Sequence, residues 1–129
     1  MYGIHVTVNC GMEEAEQRTL EALKAEGFGV LTEIDVKAVL KKKIDVDRKP
    51  YKILGACNPV LANKALIEEP DLGLLLPCNV VIREEEDGST TVAIVDPESM
   101  FTVVDKPAMA EMAKEVREKF DRIMAAIEG

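Results

Sequence analysis

Hydrophobic and polar positions alternate at the start of the chain. Tyr2, Ile4, Val6 and Val8 interleave with Gly3, His5, Thr7 and Asn9, the period of a strand with one buried face. Asn9-Cys10-Gly11 breaks it, and Met12 to Glu26 reads as a helix with acidic residues in its first turn, Leu20 and Leu23 on one face, and Gly27 as a left-handed stop. Alternation resumes over Phe28–Ile34. Asp35 caps a short helix, Val36 to Lys43, whose last turn carries Lys41, Lys42 and Lys43 beside the exposed carbonyls; this run reads as solvated, dipole-complementing surface. Ile44 to Pro50 is a long polar connection.

A third strand is expected over Tyr51–Cys57. Asn58-Pro59 is then a cap followed by a first-turn proline, so a helix runs from Pro59 to Glu68 and ends at Pro70-Asp71. From Leu72 to Arg83 the pattern is a long apolar strand interrupted at Pro77. Proline cannot donate to a ladder, which implies a bulge, an edge or a change of pairing partner there. Glu86-Asp87-Gly88-Ser89 marks a hairpin between Val80–Glu85 and Thr90–Val95, and Asp96-Pro97-Glu98 closes the second strand. In the last helix, with Asp105 as cap and Pro107 in its first turn, Met109, Met112, Val116, Phe120, Ile123 and Ile127 form one apolar stripe. Glu115 with Lys119 and Glu118 with Arg122 are favourable outer-face pairs.

This order predicts one α+β domain over residues 1–129: a two-layer sandwich in which helices cover one face of a mixed or antiparallel sheet. The other face is left to a partner or ligand. With 129 residues and 14.2 kDa, the folded chain is expected to expose about 6,800 Å², enough burial for a core without staples. A net charge of −8 argues against nucleic acid and anionic membranes as partners. No apolar run approaches the roughly 20 residues that cross a bilayer. The N-terminal stretch lacks the basic and apolar regions of a secretory signal, and three cysteines cannot all pair within one chain; a cytoplasmic setting is the expectation.

Each cysteine adjoins an asparagine: Asn9-Cys10, Cys57-Asn58 and Cys78-Asn79. Cys57 precedes a helix N-terminus, where backbone N–H groups favour a thiolate. Cys78 follows the strand-breaking Pro77. One reading makes both small buried hydrophobes. The other makes them a shared thiol or metal site, which their separation in sequence neither forbids nor proves. There is no Cys-x-x-Cys, Walker or Gly-x-Gly-x-x-Gly spacing, and His5, the single histidine, lies on the polar side of the first strand without a nucleophile beside it. Glu84-Glu85-Glu86-Asp87 at the hairpin tip reads as a solvated turn.

Gly55-Ala56-Cys57-Asn58-Pro59, followed by Ala62 and Ala65-Leu66, and then Leu76-Pro77-Cys78-Asn79-Val80, resembles the bacterial and archaeal domain-of-unknown-function family numbered three-hundred-and-two. Ala25 to Ile34, and Asp96-Pro97 with Met100, fit the same family, so the resemblance covers nearly the whole chain. It implies a TATA-binding-protein-like two-layer fold in strand–helix–four strands–helix order, and a homodimer. It names no activity, cofactor or substrate. The favoured expectation is a small-ligand, thiol or metal-binding domain, with sensory binding included, built around Cys57, Asn58, Pro59, Pro77, Cys78 and Asn79. The alternative is a structural homodimer module without small-molecule chemistry. An enzyme with Cys57 as nucleophile is disfavoured by the lone histidine.

Overall fold

The computed structural model describes residues 2–129. Five strands, β1 (Gly3–Val8), β2 (Gly29–Asp35), β3 (Tyr51–Cys57), β4 (Cys78–Glu84) and β5 (Thr90–Val95), form one sheet in the order β1-β5-β4-β3-β2. Every pairing is antiparallel, so the parallel component of a mixed sheet is absent among the described residues. The helices are α1 (Met12–Ala25), α2 (Val36–Ile44), α3 (Pro59–Glu68), α4 (Pro97–Phe101) and α5 (Pro107–Glu128). The chain therefore runs strand, helix, four strands, helix, with three short helices between.

Alternation sorts the sheet into two faces. Ile4, Val6 and Val8, Val92 and Ile94, Val80 and Ile82, and Leu54 and Ala56 point to the layer of α1 and α5. There they pack on Leu23, Val116, Phe120, Ile123 and Ile127, with the Phe28 and Phe120 ring centroids 5.3 Å apart. The opposite face carries the row His5, Ala93, Val81, Ile53 and Ile34, aligned across all five strands. No helix of the described residues is long and apolar enough to cross a membrane.

Several local expectations give way to tertiary context. Leu23 is buried as expected, but Leu20 is 39% exposed, and Ala15, Thr19 and Ala22 complete the inner face of α1; the buried Thr19 hydroxyl donates to the Ala15 carbonyl. Leu72 to Leu75 belong to a 3-10 segment, Pro70–Leu75, and β4 starts only at Cys78. Glycine at 73 and prolines at 70 and 77 tighten this stretch into a turn, while Leu72, Phe101, Met109, Ala65 and Ala113 bury one another as a second, smaller core. Asp96-Pro97 ends β5 and also begins α4: the Asp96 carboxylate accepts from the Glu98 amide at 3.0 Å. The cap of α5 is Lys106, not Asp105. Arg122 forms its ion pair with Glu26 at 2.9 Å, across to the end of α1, while Glu118 acts on it through its charge. Pro77, expected to mark a bulge, an edge or a change of pairing partner, instead lies just before the start of β4. The register shift of the sheet is in β2, where pairing slips between Val30 and Thr32 and leaves Leu31 out of register.

Candidate functional site

The Asn58 side chain is tied at both ends. Its Oδ1 accepts from the Leu61 amide at 3.2 Å, capping α3, and its Nδ2 donates to the Glu26 carbonyl at 3.5 Å, holding the turn after α1. Gly27 makes room for that amide: its φ of +83° suits glycine, and a Cβ there would stand 3.0 Å from Nδ2. Pro59 occupies the first turn of α3, exposed.

Cys78 pairs across the ladder with Ala56, so its side chain enters the helix-covered layer, where it is buried. Burial pushes its thiol up to about 12, with the charge of nearby Cys57 a secondary cause. A buried neutral thiol is a poor nucleophile. Cys57, at the last position of β3, is half-buried. Both cysteines line one apolar cavity of about 30 Å³, together with Phe28, Leu61, Phe101 and Met112. A space of that size holds a water or a single ion and no organic molecule. All three cysteines are free thiols. Cys10 lies apart from the other two; burial and a hydrogen bond to Glu14 raise its pKa.

Pro77 and Asn79 lie elsewhere. Asn79 is opposite Gly55 on the uncovered face, and the Pro77 ring stands over Gly55. A Cβ at Gly55 would come within 2.7 Å of Pro77 Cγ and also collide with Thr32 Oγ1, so glycine lets both side chains approach the sheet. The Leu76–Pro77 peptide is cis. The segment Leu74 to Pro77 thus forms a wall over the uncovered face, and between it and β1 lies a groove of about 370 Å³. Val81, Ala93 and Val95 floor the groove; His5, Asn79 and Tyr2 bring polar groups to it, and Met100 closes one side. The six residues singled out in the sequence therefore divide between two places. Cys57, Asn58 and Cys78 border the inner cavity, Pro77 and Asn79 border the outer groove, and Pro59 borders neither.

The groove residues His5, Val81, Ala93 and Val95 were not grouped by sequence reasoning. The signal available was their common parity: all sit on the uncovered side of alternating strands, but which strands adjoin depends on the order β1-β5-β4. Among the described residues no three His, Cys, Asp or Glu side chains come close enough to hold a metal ion.

An antiparallel five-stranded sheet with one helical layer, a bare second face and paired Cys-Asn segments at one end defines a small α+β domain of a recognisable kind. The chain belongs to the family described as "Domain of unknown function DUF302", which it matches over residues 4–127. It is similar to the crystal structure of an uncharacterized conserved DUF302 protein from Bacillus stearothermophilus, with a TM-score of 0.91 and 32% identity over 98% of each chain. It also resembles an uncharacterized protein of Aquifex aeolicus (strain VF5), 32% identical over 94 residues. That match takes in 64% of this chain and 63% of the relative, so the chain spans less than two thirds of the curated relative it matches.

Proposed function

We propose that the protein is a small-ligand-binding domain whose organic ligand lies in the groove on the uncovered sheet face. The observation that carries this reading is the groove itself: about 370 Å³, an apolar floor of Val81, Ala93 and Val95, and a few convergent polar groups, His5 and Asn79 foremost. That is the size and chemistry of small-molecule sites, which are mostly apolar with a small number of placed polar atoms. The ligand class it fits is a compact, largely apolar molecule with one hydrogen-bonding end. Pro77 and Asn79, from the second Cys-Asn segment, serve as wall and polar contact. A neutral fluorophore, N-phenyl-1-naphthylamine, tests the site. Its fluorescence should rise with the wild-type chain, and Ala93→Trp, which fills the floor, should weaken binding by more than about tenfold. Equal binding by both proteins would sink the proposal.

A second reading is the homodimer, and the exposed area favours it. The chain exposes 7643 Å², some hundreds of Å² above the roughly 6,800 Å² typical of a monomer of this mass. The excess is comparable with the ~800 Å² that each partner buries in a standard interface. Part of the exposed apolar surface lies away from the groove: Leu31 and Ile34 on β2, Val39 and Ile44 on α2, and Val46 are all exposed, and α2 buries no residue at all. In this reading the β2–α2 end meets its counterpart in a second copy. Sedimentation equilibrium at micromolar concentration should give twice the chain mass, and Leu31→Glu should return it to one. A wild-type monomer would overturn it.

A further inference from the structure

The inner cavity has no part in the groove reading and carries a separate inference. Its two thiols come from different strands, Cys57 from the end of β3 and Cys78 from the start of β4, and they are near enough for the charge of one to act on the other. A third sulfur-bearing residue, Met112 of α5, lines the same space. The cavity holds about 30 Å³, room for one ion among its ligands. Everything else around it is apolar, apart from the Asn58 amide, whose oxygen is already occupied by the Leu61 amide.

We propose that Cys57, Cys78 and Met112 form a three-sulfur site for a soft monovalent cation of the Cu(I) class. The donor set decides the class. Ca²⁺ and Mg²⁺ need oxygen ligands, and no carboxylate lines the cavity. Structural Zn²⁺ takes four ligands, and only three donors are present. Thiolates and thioethers select Cu(I), which accepts low coordination numbers and tolerates an apolar, water-poor surround. On binding, the thiol protons leave to solvent and metal–sulfur bonds replace S–H bonds, with no change of oxidation state. The half-buried Cys57 and Leu76 give the ion a route from solvent. Methionine at 112 fills a place in the apolar stripe of α5, but it stands at the junction of the two cores, the point where a third donor is needed.

Anaerobic titration of the full chain against the Cu(I)–bicinchoninate complex tests the assignment. The wild type should withdraw one Cu(I) per chain, and X-ray absorption of the product should show a sulfur-only shell. Cys57→Ser and Cys78→Ala should each weaken binding by more than about tenfold, while Cys10→Ser retains it. Met112→Leu is close in volume and keeps the core packed, so weaker binding by this variant, with an unchanged melting temperature, reads the loss of a ligand and not of the fold. Failure of the wild type to take Cu(I) would overturn the proposal. So would wild-type affinity in Cys78→Ala, or in Met112→Leu. The groove probe is unaffected by any of these outcomes, so the two readings fail separately.

Discussion

Replacing Asn58 with alanine removes both bonds of one side chain at once. The first is the cap of α3, from the Leu61 amide to Oδ1 at 3.2 Å, and such caps contribute about 1 kcal/mol. The second, from Nδ2 to the Glu26 carbonyl, is long at 3.5 Å and part-buried, and is assigned about 0.5 kcal/mol. Together the loss is about 1.5 kcal/mol. Unfolding entropy near the melting point is about 2.1 cal/mol/K per residue, so for 129 residues this corresponds to a fall of about 5 °C. Asn58→Asp separates the two bonds. It keeps the capping oxygen, adds a negative charge at a helix N-terminus, and loses only the donor, so it should lie within about 0.5 kcal/mol of wild type. Differential scanning calorimetry and urea denaturation measure both variants. A melting temperature for Asn58→Ala within about 1 °C of wild type would refute the reasoning, as would Asn58→Asp falling as far as alanine.

Three other expectations concern the same region and the core. The Cys78 thiol titrates at about 12 in the folded chain against an ordinary 9.0, so above pH 9 the unfolded state loses its proton first and stability falls as pH rises. Under reducing conditions, urea denaturation at pH 9 and pH 11 should show wild type losing about 2 kcal/mol more than Cys78→Ala; parallel losses would contradict it. Gly55→Ala drives a methyl into Pro77 and Thr32 and should cost about 1–3 kcal/mol, with part of the loss recovered by adding Thr32→Ala. Phe120→Ala empties the centre of the main core, beside Phe28, and should cost about 3–5 kcal/mol; a loss below about 1 kcal/mol would show that the two layers are not joined there.

The elements set by local chemistry were legible in the sequence. Asp35 and Asn58 cap where their side chains predict, Gly27 takes its left-handed turn, and the Val116, Phe120, Ile123 and Ile127 stripe is the buried face of α5. Leu72 to Leu76 were misleading because an apolar run has no period of its own. It looks the same as a strand or as a tight turn facing Phe101 and Met109, and only long-range packing chooses. Leu20 failed differently: Leu23, expected on the same face, is fully buried, while Thr19 is buried in place of its neighbour Leu20. The Cys-Asn segments did mark irregular backbone. Sequence could not show that consecutive residues Pro77, Cys78 and Asn79 serve opposite sides of the sheet, since that requires knowing where the strand begins and which face the helices take.

The strand order also dictates when the molecule can fold. β1 leaves the ribosome before the other four strands, yet among the described residues its neighbour in the sheet is β5 alone, with Gly3 opposite Val95. Until residue 95 has emerged, β1 has no partner, and its inner face waits longer still for α5. A nascent chain stalled before residue 90 therefore carries three linked strands, β2 to β4, and an orphan β1, with apolar surface that other chains can reach. The inner face of the sheet is closed only once α5 has formed, so truncation within α5 should abolish the sheet as a whole and not merely fray its end.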